Sequence, residues 1–310
     1  MSEQSTLSDR TLDWAAASVH PQATVLSARR LHGGVSTPIH ALLLCIEGEF
    51  SEVVLRQFDD AEWLRREPDL VRREAASLAQ ASRAGVRAPR VIATDEDGSL
   101  TGKPSTLMTK LEGEVVLQPP ELSTWLRGLA QAIVRLHAME PDDAFPWTFR
   151  PYTNAPRMDY SWSKLPSAQW ETAISIVTGA APEAKRRFIH RDYHPANVLW
   201  SGGEVSGIVD WVNGCIGPVG IDIGHCRVNL VQLYGIPAAD EFLAHYCELA
   251  GTSFSYDPYW DLVTLIDSSD GPQSVYPGWT ALGFTGLTDE LVKERLEAYL
   301  TSLLSQFNRS

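Results

Sequence analysis

The sequence predicts a two-lobed α+β protein, with a small β-rich first lobe and a larger, mainly helical second lobe. Three observations carry that expectation. Between residues 25 and 58, three short apolar segments alternate with turn-rich pieces, too closely spaced for crossover helices. Beyond residue 120 the apolar residues switch to helical spacing. The chain of 310 residues is 44% hydrophobic, enough for one large or two modest cores at roughly 150 residues per domain.

The elements follow in order. Ser8 is placed to cap a helix running through Trp14 to residue 19. Residues 25–31, 39–46 and 52–58 read as strands, separated by His32-Gly33-Gly34 and Glu47-Gly48-Glu49, and their spacing favours an antiparallel meander. A helix over 70–84 starts at a candidate cap, Asp69, and stops at Gly85 and Pro89. Strands are expected at 90–94 and 105–109, joined by Asp95-Glu96-Asp97-Gly98. This closes a first lobe of residues 1–110, followed by a connector at 111–114 and a second lobe of 115–310. There, Pro119-Pro120-Glu121 opens a helix carrying Leu122, Trp125, Leu126, Leu129 and Ile133. Residues 141–166, rich in Pro and aromatics, carry no assignable pattern. Further helices are expected at 168–178, 226–233, 240–250 and 289–305.

Charge and cysteine content narrow the function. With 26 Lys+Arg against 39 Asp+Glu the net charge is −13, which argues against nucleic acid and anionic membrane surfaces as partners. The four cysteines form no C-x-x-C pair, so neither a zinc site nor a dithiol redox motif is suggested, and buried free thiols are expected. The start of the chain is polar and acidic without an apolar run, unlike a signal peptide, and the expected location is cytoplasmic.

The sharpest feature is Phe188-Ile189-His190-Arg191-Asp192-Tyr193-His194-Pro195-Ala196-Asn197-Val198-Leu199-Trp200. H-R-D is followed, after four residues, by Asn197. A turn at Ser201-Gly202-Gly203-Glu204 and an apolar strand over 205–209 then lead to Asp210. The pattern offers one Asp for a substrate hydroxyl, and an Asn and a second Asp able to hold magnesium. Phosphoryl transfer needs those groups, because its catalysis is mostly positioning and charge neutralisation. His190, Asp192 and His194 also read as an H-x-D-x-H metal set, but that reading leaves Asn197 and Asp210 unexplained. No G-x-S-x-G elbow supports a serine hydrolase.

Residues 190–211 resemble the catalytic and metal-binding segment of the aminoglycoside phosphotransferase family, the antibiotic-kinase branch of the protein-kinase-like fold. The resemblance is strong over 190–222 and looser over the rest of the chain. It implies that Asp192 is the catalytic aspartate, that Asn197 and Asp210 hold Mg2+, and that His190 is a scaffold for the loop. Leu199 would form the floor under the adenine of ATP, or of GTP. Asp222 would brace the loop from a helix start. In the first lobe, Val54 and Arg56 lie on the strand that carries a phosphate-binding Lys in the family, and here the residue is Arg, which is not a conservative change. Glu74 is the matching helix carboxylate. It shares a helix face with Leu70 and Leu78, and an inward carboxylate calls for a cation, with Arg56 the candidate ahead of Arg72 or Arg73. Gly33 and Gly34 are the candidate phosphate-covering turn. Met108 and Lys110 resemble the hinge whose backbone meets adenine.

The expected function is an ATP-dependent small-molecule O-phosphotransferase, with antibiotic resistance among the implied roles. Acceptors in the family include aminoglycosides, macrolides, choline, homoserine and sugars. The acid surplus favours a cationic acceptor, held by Asp257, Asp261, Asp267 or Asp270. The resemblance implies that Trp211, following Asp210, lies near the ligand cleft, while Trp147, Trp162, Trp170, Trp260 and Trp279 read as core. A protein kinase is disfavoured, since D-F-G and A-P-E are missing. Arg56 motivates the alternative of a catalytically idle nucleotide-binding module, against which Asp192, Asn197 and Asp210 stand together.

Overall fold

The computed structural model describes residues 7–31, 37–140, 142 and 144–307. The chain divides into two compact units. One runs to Gly113 and takes in Ser206–Asn213; the other comprises Glu114–Val205 and the chain from Gly214.

The first unit opens with α1 (Asp9–Val19), where Ser8 Oγ accepts from the Thr11 N–H at 3.2 Å, the expected cap. Strands β1 (Thr24–Arg30), β2 (Ile39–Ile46) and β3 (Glu49–Gln57) follow. The turn between β2 and β3 is only Glu47-Gly48, with φ of 51° and 92°. Two consecutive positive-φ residues match strand twist, so β3 begins at Glu49, three residues before its apolar pattern does. After α2 (Ala61–Arg66) and α3 (Leu70–Arg83), strands β4 (Val91–Asp95) and β5 (Ser105–Thr109) complete an antiparallel sheet of order β1-β2-β3-β5-β4. Leu42, Leu44, Val53, Leu55 and Leu107 form its core with Ala15 of α1. Asp60 caps α2, which buries no residue and so leaves no apolar period to read. Asp69 makes no side-chain cap; it pairs with Arg72 at 3.3 Å instead. The Ser206–Asn213 segment is tied to α3, where Arg73 donates to the Asn213 carbonyl at 2.7 Å and Val212 packs on Phe58, Leu70 and Val71.

The second unit contains β6 (Glu114–Val115), α4 (Leu122–Ala138) and α5 (Ser167–Thr178). Next come β7 (Arg186–Ile189), β8 (Val198–Ser201), β9 (Glu204–Ile208), which carries the chain into Ser206–Asn213, and β10 (Cys215–Pro218). Helices α6 (Gly220–Tyr234), α7 (Ile236–Ala250), α8 (Tyr259–Ser269), α9 (Pro277–Ala281) and α10 (Asp289–Phe307) complete it. β6 pairs with β8 and β7 with β10, both antiparallel. α6 is the central helix, packed on α7, α8 and α10. Eleven of its fifteen residues are buried, so it presents no polar face, and sequence periodicity finds only its second half. Gly224 lets α8 come close: a Cβ there would lie 2.6 Å from Thr264 Oγ1 and 2.8 Å from the Trp260 carbonyl oxygen. Arg227 of α6 reaches Asp261 of α8 and Asp240 of α7, each at 3.0 Å, and the hydroxyl of Tyr299 on α10 at 3.2 Å.

That network corrects one expectation. Asp261 is 1% exposed and committed to Arg227, so it is a core ion pair and not an acceptor-binding acid. Asp257 accepts from the Tyr259 N–H, and Asp270 from the Asp159 N–H, so both shape local backbone. All four cysteines are free, Cys215 and Cys226 buried and Cys45 and Cys247 half-buried. Among the described residues, no helix is long and apolar enough to cross a membrane.

Candidate active site

In the first unit, the guanidinium of Arg56 on β3 bridges two carboxylates. Its Nε lies 3.0 Å from Glu74 Oε1, and its Nη2 lies 2.9 Å from Asp210 Oδ1. A planar fork with several N–H donors can serve two acids at once, which an ammonium does less well. Glu74 faces inward, as its place beside Leu70 and Leu78 predicts, and pairs with Arg56. Arg72 and Arg73 are occupied by Asp69 and Glu67. Burial pushes the Glu74 carboxyl up, and the Arg56 charge opposes that rise. Asp210 follows β9 with φ of 65°, a left-handed backbone that costs a non-glycine residue on the order of 1–3 kcal/mol. The ion pair to Arg56 holds it there.

Val54 and Met108 are direct partners across β3 and β5, so they sit side by side on the sheet. Lys110 pairs with Glu52 at 2.9 Å. Gly33 and Gly34 lie outside the described residues. Trp211 corrects a second expectation. It is 1% exposed and its indole N–H donates to the Ile208 carbonyl at 2.8 Å, so it is a core residue with no face for a ligand.

In the second unit the loop after β7 is clamped by Asp222, in the first turn of α6. Asp222 Oδ2 accepts from the His190 N–H at 2.8 Å, and Oδ1 from the Arg191 N–H at 2.6 Å. His137 Nε2 lies 3.0 Å from the same carboxylate and its Nδ1 2.8 Å from the Tyr246 hydroxyl. A helix N-terminus also favours an anion. The clamp imposes a left-handed conformation on Arg191, φ 69°, whose side chain lies over Tyr152 at 3.7 Å and Phe149 at 5.0 Å. His190 is fully buried and its Nδ1 accepts from the Asp192 N–H at 3.2 Å, a contact within the loop.

Asp192 is thereby presented with 31% of its side chain exposed. His225 Nε2 lies 3.0 Å from Asp192 Oδ1, and His194 Nε2 lies 3.8 Å from the same oxygen. Asn197, at the end of a single 3-10 turn, donates its amide to the Asp192 carbonyl at 2.9 Å and more weakly to Oδ2 at 3.4 Å. Burial would raise the Asp192 carboxyl. The His225 hydrogen bond and the neighbouring imidazoles of His194, His225 and His190 outweigh it and hold the group well below the usual carboxylate range. Leu199 is half-buried on β8, opposite Val115.

Two neighbours of the loop escape sequence reading. His225 and His137 lie far from the motif in sequence. His225 has a signal: it is three residues after Asp222, hence on the same helix face, once α6 is known to start at Gly220.

The profile of the family described as "Phosphotransferase enzyme family" matches residues 27–263, more than half of the chain. The chain belongs to that family. A homoserine kinase from Methylocella silvestris is 29% identical over 157 residues, 46% of this chain and 47% of that protein. The chain spans about half the length of the curated relatives it matches. Among solved structures, a macrolide 2′-phosphotransferase from Brachybacterium faecium aligns with a TM-score of 0.58 and 16% identity, over 93% of this chain and 98% of that one. A thermostable mutant of an aminoglycoside phosphotransferase, solved with ADP and hygromycin B, aligns with a TM-score of 0.58 and 17% identity, over 90% and 95%. The phosphotransferase-family chain thus has the protein-kinase-like fold of these enzymes.

Asn197 and Asp210, one in each unit, each offer an oxygen donor of the kind magnesium takes. Because the Asn197 amide nitrogen is directed at Asp192, its oxygen is directed away. Asp210 offers a carboxylate whose side chain is 19% exposed. Magnesium takes one or two such oxygens together with phosphate oxygens and water.

Proposed function

We propose that this protein transfers the γ-phosphoryl group of ATP, with GTP as the alternative donor, to a hydroxyl of a small molecule. The observation that carries this reading is Asp192: an ionised, oriented, partly exposed carboxylate beside the Asn197 amide on a clamped loop. In this reading Asp192 Oδ2 accepts a hydrogen bond from the acceptor hydroxyl and aligns its oxygen with the γ-phosphorus. The new O–P bond forms as the bond from the γ-phosphorus to the bridging oxygen breaks. ADP leaves, and the hydroxyl proton passes to Asp192 as negative charge leaves the acceptor oxygen. A carboxylate held well below its usual range is a weak base, so its contribution is mainly orientation, in line with a loose phosphoryl-transfer transition state.

Asn197 and Asp210 are each assigned one magnesium ligand, and the ion would neutralise charge on the phosphates. Arg56, aimed by Glu74, is assigned to nucleotide phosphate. Val54, Met108, Leu199 and the backbone at Lys110 are assigned to the base. The two lobes of the reading are residues 1–110 and 115–310, with 111–114 as hinge, and the enzyme would work in the cytoplasm. The named relatives set the acceptors to try first: homoserine, a macrolide and hygromycin B.

The test is an acceptor panel of amino alcohols, sugars, macrolides and aminoglycosides with MgATP, read by mass spectrometry. One acceptor should gain a single phosphate. If none does, and MgATP produces no thermal shift, the kinase reading fails.

A further inference from the structure

We propose that Asp192, His194 and His225 form a binding site for a transition-metal dication, zinc in the first instance, and that the bound ion shuts the acceptor side of the site. The inhibitory half rests on the role proposed for Asp192; the binding half does not.

The two imidazoles converge on one carboxylate oxygen. His225 Nε2 lies 3.0 Å and His194 Nε2 3.8 Å from Asp192 Oδ1, and one donor atom of each residue lies within 4.8 Å of the others. The His225 contact is a good hydrogen bond. The His194 contact is longer, at ion-pair distance. Tetrahedral zinc with bonds of about 2.0–2.1 Å separates neighbouring donors by about 3.3 Å. The two observed separations straddle that value, so small side-chain shifts would close the set around an ion.

The donor chemistry selects the metal. Two imidazoles and a carboxylate suit zinc or another borderline dication, with a fourth position open to water. Magnesium prefers oxygen donors, and Asn197 and Asp210 supply those. Metal binding uses an imidazole lone pair from each histidine and a carboxylate oxygen. The ligands come from a prepared frame. His194 stands just before the 3-10 turn, and His225 lies one turn along α6 from Asp222, which fixes the loop. The rings meet edge to face at 5.8 Å. Asp192 and His225 are 31% and 22% exposed, so an ion can enter. The Arg191 cation is stacked on Tyr152 and Phe149, and Asp267 lies within electrostatic reach of both Arg191 and His225.

The sequence offers a different trio, His190, Asp192 and His194, which leaves Asn197 and Asp210 unexplained. His190 is excluded because its Nδ1 is used by the Asp192 N–H, and His225 takes its place. An ion on Asp192 Oδ1 occupies the carboxylate that the acceptor hydroxyl needs, so zinc competes with the acceptor.

Cobalt(II) added to the full chain tests the site. Four-coordinate cobalt gives intense visible bands, which should saturate at one ion per chain and bleach on adding zinc. The bands should disappear in His225→Gln and in His194→Gln, with circular dichroism showing both folded, and persist in Asp210→Asn. Zinc should inhibit phosphotransfer, with a midpoint at least about tenfold higher in His194→Gln, the lower end of what even an outer-shell change costs. Weak six-coordinate bands in the wild type, bands that survive both histidine changes, or bands that vanish in Asp210→Asn overturn the proposal. Strong bands in a chain that phosphorylates nothing would keep the metal site and remove the kinase reading.

Discussion

Two regions of this molecule hold a carboxylate beside a strained backbone, and they do it in opposite ways. In the first unit the strain lies on the carboxylate residue itself: Asp210 has φ of 65° and is held by its side chain through Arg56. In the second unit the strain lies on the neighbour: Arg191 has φ of 69°, and Asp222 holds it through backbone N–H groups. The Arg56–Glu74–Asp210 network is largely buried and balances charge against charge. Such networks suffer most when one member is removed, because the partner becomes an uncompensated buried charge. Asp192 instead has imidazole and amide partners and a third of its surface in water. In the proposed reading the first arrangement would tie function to stability. The second leaves its carboxylate partly in water, so altering it should disturb the fold less.

The largest effect that separates the two is on turnover. Asp192→Asn should lower kcat by roughly 10²–10⁴-fold, the range for losing a positioned acid–base group, while leaving MgATP binding near wild type. Its urea midpoint should fall, since the fold stabilises the Asp192 charge, but by less than in Glu74→Ala because a third of this side chain is in water. Wild-type turnover in this variant would remove Asp192 from the mechanism. Glu74→Ala should show the reverse emphasis. Arg56 would lose one of two buried partners, and stability should fall by about 3–5 kcal/mol in urea titrations. A shift no larger than that of Asp192→Asn would mean the two regions do not differ as argued.

Asp210→Asn comes next. Asparagine tolerates the left-handed region well, so backbone strain is unchanged and only the charge is lost. The Mg2+ concentration for half-maximal activity should rise by roughly 10- to 100-fold, comparable with losses seen on weakening a metal's surroundings. An unchanged magnesium titration would show that Asp210 serves the Arg56 network alone.

The sequence made the contrast only half visible. Strands over 39–46 and 105–109, the capped α1, and the pairing of Glu74 with Arg56 follow from patterning and from the need of an inward acid for a cation. Helices α6 and α8 resist that method because nine of eleven residues of α8, like most of α6, are buried, and a helix without a polar face has no period to detect. For this reason His225 goes unread and Asp261 reads as an acceptor-binding acid: the structure shows one as a partner of Asp192 and the other as a partner of Arg227. Trp211 misled differently. The resemblance implied a ligand face, while the chain turns the ring into the core.

Arg191→Gly offers the smallest effect and the finest discrimination. Glycine removes the left-handed penalty of about 1–3 kcal/mol. It also removes the guanidinium stack over Tyr152, 3.7 Å from the ring centre, and the hydrogen bond to the Arg150 carbonyl, contacts worth on the order of 1 kcal/mol each. These changes oppose each other, so net stability should stay within about 1–2 kcal/mol of wild type, less than the loss in Glu74→Ala. Turnover decides what the strain is for. If Asp222 alone positions the loop, its two N–H contacts survive in the glycine variant and kcat should fall by less than about tenfold, or about 1.4 kcal/mol of barrier. A loss as large as that of Asp192→Asn would show that the stacked side chain, and not the backbone clamp, places the carboxylate. The second region would then depend on side-chain contacts in the way the first does.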